Sequence, residues 1–358
     1  MKRNRREEST ESQGTTGLAP AFPLPKKAAA SIKGVPSGVR GKDLPSEFVR
    51  TIKKVIQNAG PDAVADYTQI YSPLRKRCAA EAKPGSLAEE LGQARKVLEA
   101  ITRENPTFSA TVPIVLERLG TQRPELIASG VLVRITNRTF LLTAAHVTDR
   151  QNEGTLLIPG QRSFIAATGY FSSMRLPASG RRADDKLDVA FFLLDNDCVK
   201  ELHPHCRVLG RRDVSLEADP PLRTDYTFAG YPSQKSRVRE RALETDFRTF
   251  TGGEAKQSEY EALGLNRSLH IVIRFNRKQT LSQKSGRAST FPLPHGMSGG
   301  GVYAWSQEAL KTWPVRLPLV GIATEFVPDR SLLVATRLHV YVGCIFHNEP
   351  HLAAIAAG

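Results

Sequence analysis

The feature that most constrains this chain is a cadence of short apolar runs that begins after Pro106. ASGVLVRI, RTFLLTAA, GTLLIPG, SFIAATGY and DVAFFLL come first, and DYTFAGYP, LHIVIRF, GGGVYAW, LPLVGIATEF and SLLVATRLHVYV follow farther on. Each run is rich in branched or aromatic residues and is separated from the next by polar, Gly or Pro positions, so each reads as one strand closed by a turn. The two groups suit two successive six-stranded antiparallel barrels, the first over about 110–200 and the second over about 220–346. An all-β domain over 106–350 is therefore expected, and no internal sequence repeat marks it.

The N-terminal third has a different texture. Residues 1–42 mix charge, Gly, Pro, Ser and Ala without a hydrophobic period, and they predict a flexible basic tail that cannot bury enough apolar surface to offset chain entropy. Within 43–105, SEFVRTIKKVIQNAG places Phe48, Ile52, Val55 and Ile56 on one helical face, with Ser46 as N-cap and Gly60 as stop. SLAEELGQARKVLEAITREN repeats that signature, with Ser86 and Glu89 as a capping box. A small helical module is predicted, a candidate docking element for a regulatory protein partner.

Composition sets outer bounds. The 358 residues, 40% of them hydrophobic, can supply a sizeable core. A formal charge of +14 attracts acidic partners, but it bears on association and not on fold. Four cysteines are few for this length and favour a reducing compartment. The N-terminus has no apolar signal-peptide run, and no stretch of about 18 apolar residues occurs, so the expectation is a soluble, cytoplasmic protein with no membrane partner.

Three short stretches carry chemistry. FLLTAAHV ends an apolar strand at His146, where two small alanines let the chain turn and face the imidazole to a cleft. LDVAFFLLD sets Asp188 immediately before another apolar strand, where a carboxylate can accept an imidazole Nδ1 proton and fix its tautomer. HGMSGGGVYAW holds Ser298 in a glycine-rich turn whose backbone can aim the Gly296 and Ser298 amides at one spot, an oxyanion hole. Taken singly, each has an ordinary structural explanation: a strand-ending His, a turn Asp, a Gly/Ser turn.

Taken together, the three resemble the trypsin-like (chymotrypsin-fold) serine peptidases, in which a TAAH-type histidine, an Asp-[Val/Ile]-Ala aspartate and a GxSGG serine occur in this order. The separations of 42 and 110 positions between His146, Asp188 and Ser298 suit a His and Asp from the first barrel and a Ser from the second. FAGYP, LPLVGIAT and the closing VATRLHVY add to the likeness, which covers about residues 110–350. It implies a serine endopeptidase acting on protein or peptide substrates through a His146–Asp188–Ser298 triad, with no cofactor and no metal. Met297 stands where the family usually has Asp and no IVGG-like terminus follows a basic site, which together imply a site formed without zymogen cleavage. His295, Ala323 and Thr324 are the candidate substrate-pocket residues.

Other readings stay open on sequence alone: a catalytically silent binding module that recruits an acidic partner through its basic surface, or a peptidase active only with a partner. LHPHC (His203, His205, Cys206), with Cys198 nearby, matches no closed four-ligand metal pattern. The basic clusters KSRVRER and RFNRKQTLSQKSGR lack interleaved aromatics in the second case and any nucleic-acid motif in both, so solvated loops are expected and no nucleic-acid partner.

Overall fold

The computed structural model describes residues 105–120, 124–217, 225–235, 237–239, 242–244, 246–281, 288–305 and 317–352. The predicted tail and, apart from Asn105, the predicted helical module lie outside the described residues. Among the described residues, no helix is long and apolar enough to cross a membrane.

The first half supplies β1 (Thr111–Arg118), β2 (Pro124–Ile135), β3 (Arg138–Ala144), the short helix α1 (Ala145–Thr148), β4 (Gly154–Pro159), β5 (Phe164–Ala166), β6 (Gly169–Ser173), β7 (Val189–Leu194) and α2 (Asn196–Glu201). Its strands form one curled antiparallel sheet in the order β5-β4-β1-β2-β3-β7-β6. The second half supplies β8 (Asp225–Gly230), the ribbon β9 (Arg237–Arg239) and β10 (Ala242–Glu244), β11 (Arg248–Gly253), α3 (Gln257–Leu263) and β12 (His270–Arg274). The ribbon β13 (Thr280–Leu281) and β14 (Ala288–Ser289), then β15 (Gly301–Trp305), β16 (Leu319–Val327), β17 (Leu332–Arg337) and the helix α4 (Leu338–Asn348) complete it. The second main sheet runs β11-β8-β15-β16-β17-β12, and its two edges meet where Ala255 N–H donates to Val272 O at 2.7 Å. The all-β double barrel expected from the sequence is the architecture observed.

Three apolar clusters explain why several strands are unbroken hydrophobic runs. Leu141, Phe192 and Leu194 fill the first barrel, whereas Phe140, Leu142, Val189 and Phe191, on the alternate positions of β3 and β7, face a second cluster at the junction of the two sheets. That junction also takes Ala229, Tyr303, Leu319 and Ile322 from the second sheet and Leu338, Tyr341 and Ile345 from α4. A wall buried on both faces has no solvent side, so FLLTA and VAFFLL lose the polar alternation of an exposed strand. Phe228, Phe250, Phe275 and Phe291 pack inside the second barrel.

Details depart from expectation for local reasons. The first main sheet has seven strands, because SFIAATGY changes partner midway: Ala167 N–H donates to Leu156 O beside β4, and Thr168 O accepts from Asp195 N–H after β7. TVPIVLER (β1) and RTFTGG (β11) are strands whose mixed composition gave no clear signal. SLLVATRLHVYV is strand only to Arg337; from Leu338 it is helix, with Leu338, Tyr341 and Ile345 buried on one face at helical spacing. Val340 and Val342 give that segment its strand-like look, and burial of the 338/341/345 stripe at the junction overrides it.

Candidate active site

The antiparallel register of β3 against β7 pairs Thr143 with Ala190 and Ala144 with Val189, so the residues just past the end of one strand meet those just before the other. Ala145 N–H donates to Asp188 O at 2.9 Å, and His146 N–H donates to Asp188 Oδ1 at the same distance. The second carboxylate oxygen, Oδ2, lies 2.6 Å from His146 Nδ1. A carboxylate only accepts, so Nδ1 carries the proton and the Nε2 lone pair is left available as a base. Asp188 is buried, whereas the His146 side chain keeps 40% of its surface exposed.

Asp188 adopts a left-handed backbone, φ 49°, an uncommon conformation that costs a non-glycine residue about 1 kcal/mol or more. Asp185 stabilises it: its Oδ1 accepts from both Leu187 N–H and Asp188 N–H at 3.1 Å. Burial depresses the His146 pKa and is the largest single influence on it. The hydrogen bond and charge of Asp188, with the charge of Asp149 behind them, together outweigh burial and leave the imidazole above its ordinary value of 6.5.

Ser298 lies in an anchored turn that leads into β15 of the second sheet. Gly296 (φ +87°) and Gly299 (φ +81°) bend the chain in a way L-residues rarely adopt. From His295 to Ser298 each carbonyl is engaged: His295 O accepts from Ser233 N–H, Gly296 O from the Ser129 hydroxyl, Met297 O from Gly300 N–H and Ser298 O from Ser129 N–H. Met297 N–H donates to Pro294 O and Gly299 N–H to Ala323 O. Among the described residues, only the Gly296 and Ser298 amides of the 296–300 turn donate no hydrogen bond. Two unspent donors flanking one hydroxyl are the elements of an anion cradle.

Ser129 ties this turn to the first barrel. Fully buried on β2, it holds Gly296 O through its hydroxyl at 2.9 Å and Ser298 O through its amide at 2.8 Å, and its hydroxyl accepts from Tyr231 N–H at 2.9 Å. Its carbonyl accepts from the Thr143 hydroxyl, two residues before the helix that bears His146. A Cβ at Gly299 would stand 2.0 Å from Ser129 O and 2.3 Å from Thr143 Oγ1, so the serine turn and the β2–β3 wall are in backbone contact. The Ser298 hydroxyl donates to Thr324 O at 3.2 Å.

No protein-family profile and no curated protein matches the chain. Solved structures of similar arrangement do. Neuropsin, a serine protease expressed in the limbic system of mouse brain, is 14% identical, with 68% of this chain and 96% of that chain covered at a TM-score of 0.44. The thermostable serine protease AL20 from an extremophilic microorganism is 12% identical over 65% of this chain and 92% of its own, with a TM-score of 0.38. Tobacco etch virus protease complexed with product is 12% identical over 68% and 80%, with a TM-score of 0.37.

The remaining candidate residues lie as follows. His295 is exposed beside Gly296. The Ala323 methyl packs into the second-barrel core while its backbone bonds Gly299 and Gly300, and the buried Thr324 hydroxyl donates to Val334 O at 3.3 Å while its carbonyl accepts from the Ser298 hydroxyl. The His203 and His205 rings lie against each other at a tilt of 43°, with centroids 5.0 Å apart. Burial pushes the Cys206 thiol up to about 11. Among the described residues, no cluster of three or more His, Cys, Asp or Glu could hold a metal. The basic clusters at 235–241 and 274–287 fall partly outside the described residues. Sequence reasoning missed Ser129 and Asp185. The only signal at Ser129 was a Ser-Gly pair inside a strand, where small residues mark close approach of another backbone.

Proposed function

We propose that the chain is a serine endopeptidase in which Ser298 is the nucleophile, His146 the general base and acid, Asp188 the orienting carboxylate, and the Gly296 and Ser298 amides the oxyanion donors. The observation that supports it most is the conjunction, across one inter-barrel contact, of an Asp-held imidazole with a serine turn whose two unspent amides flank the hydroxyl. Ser298 Oγ attacks a scissile carbonyl carbon while its proton passes to His146 Nε2; the two amides take the charge that develops on the carbonyl oxygen. His146 then delivers the proton to the leaving amine, and water hydrolyses the acyl-enzyme by the same route. The raised His146 pKa suits a base that must hold a proton briefly at each step.

Protein or peptide substrates follow from this chemistry, and the cytoplasm is the proposed location. The test is digestion of denatured casein and a mixed peptide library, read by mass spectrometry, with Ser298→Ala alongside: new peptide termini made by wild type and absent with the variant support the proposal, and termini made equally by both refute it. One observation favours a second reading, a binding module or a partner-dependent peptidase: the Ser298 hydroxyl is engaged with Thr324 O, while the hydrogen bonds described for His146 both go to Asp188. Nucleophile–base bonds commonly tighten only once substrate is bound, which is why the enzyme reading ranks first.

A further inference from the structure

The loop between β6 and β7 carries an arginine that the chemistry above does not use. Arg182 is largely buried, with 15% of its side chain exposed, and its guanidinium meets three separate elements. Nε and Nη2 form a two-point bridge to Asp149, at 2.8 and 2.9 Å, at the end of the helix that bears His146. Nη1 donates to Asp185 Oδ2 at 2.7 Å and to Met174 O at 3.0 Å. The other oxygen of Asp185 accepts the Leu187 and Asp188 amides and so sets the left-handed turn on which Asp188 stands.

We propose that Arg182 is a positioning residue: by bridging Asp149 and Asp185 it holds the helix carrying His146 and the turn carrying Asp188 at one fixed separation. The inference rests on the reading of those two residues as base and orienting acid. A planar guanidinium suits the task, because its fork bonds two carboxylates in fixed directions, whereas an ammonium in the same place is a point charge that favours one of them. The pairing also matters electrostatically. The charged groups acting on His146 are Asp188 from the β7 turn, Asp149 from its own helix end and Arg182 from the loop, and Asp185 shares the Arg182 guanidinium with Asp149. Asp149 pushes the imidazole pKa up and Arg182 pushes it down, so the bridge keeps the two in balance.

The experiment compares wild type, Arg182→Gln, Arg182→Lys and Asp149→Asn in the full chain. A fluorophosphonate probe gives the second-order labelling rate as a function of pH, and the proton NMR signal of the His146 Nδ1–H reports the bond to Asp188. Positioning predicts a loss of about 10- to 100-fold in the high-pH plateau rate for Arg182→Gln. Loss of the nearby positive charge also moves its acid limb upward. Arg182→Lys keeps the charge, so its limb stays near wild type while its plateau falls. Asp149→Asn removes one anchor of the bridge, so its plateau also falls, and loss of the negative charge moves its limb downward. Plateau rates equal to wild type in both Arg182 variants, with only the limb displaced, would reduce the arginine to a charge and overturn the positioning role. If wild type itself does not label, the peptidase reading fails, and NMR still decides the clamp: a downfield Nδ1–H signal in wild type that is lost in Arg182→Gln supports it, and one unchanged in that variant overturns it.

Discussion

Ser129 is the point at which the first barrel grips the turn that bears Ser298, and Ser129→Ala isolates that grip. The substitution keeps the main-chain bond to Ser298 O and removes only the hydroxyl, which joins Gly296 O to Tyr231 N–H. Gly296 O is buried and loses its partner, at a cost of about 1–3 kcal/mol; the partly buried Tyr231 amide adds about 1 kcal/mol. The sum, about 2–4 kcal/mol, lies within the 5–15 kcal/mol stability of an ordinary domain, so the variant folds. For a domain of this size the fall in Tm is roughly 5–15 °C. If the Gly296 and Ser298 amides are the proposed oxyanion donors, activity falls further than stability, because an unpinned Gly296 peptide displaces a donor and removing one costs about 10²–10³ in kcat. Differential scanning calorimetry gives the first number. Hydrolysis of an activated ester as a function of pH gives the second, with the acid limb unmoved because the His146–Asp188 pair is untouched. A variant with unchanged Tm and full turnover refutes the reasoning.

Three further outcomes follow from the same geometry. Turnover rises as pH rises through the His146 pKa, with a midpoint above 6.5 because the folded protein raises it; Asp188→Asn, measured by the same pH profile, lowers that midpoint and costs about 10⁴ in kcat by favouring the wrong tautomer. The stability contribution of the same imidazole runs the opposite way: a folded-state pKa above the unfolded one stabilises fully below 6.5, and that contribution is lost as pH rises through the folded value, which denaturant titrations of wild type against His146→Ala across pH measure as a narrowing gap. Gly299→Ala sets a methyl 2.0 Å from Ser129 O at a left-handed position, combining about 1–2 kcal/mol of backbone strain with a clash against backbone, so its Tm falls more than that of Ser129→Ala; an equal or higher Tm refutes the close packing of the turn.

The strand cadence made the double barrel legible because each wall strand is apolar enough to declare itself, and FLLTAAHV, LDVAFFLLD and HGMSGGG each hold a proposed site residue in a contiguous run. What escaped was set by partners far away in sequence. Ser129 matters for contacts 102, 167 and 169 positions distant, and Arg182 for a carboxylate 33 positions back. Neither lies in a motif, since any small polar residue or any arginine fits the local pattern. Leu338 to Val342 reads as strand in the sequence and is helix in the structure for the converse reason: its valines advertise local β preference, while the junction into which Tyr341 and Ile345 fit is built by both halves of the chain. For Ala323 and Thr324 the direction in which each side chain points depends on register, which the local sequence does not carry, and β16 has an irregularity between Ala323 and Glu325.

The most direct test of the central claim is to incubate the purified chain with a fluorophosphonate probe and map the modified residue by mass spectrometry, for wild type, His146→Ala and Ser298→Ala. The assembled site predicts one phosphonyl adduct, on Ser298, in wild type, a strongly slowed reaction in His146→Ala and none in Ser298→Ala. Wild type left unmodified, or modified at the same rate when His146 is gone, would contradict it.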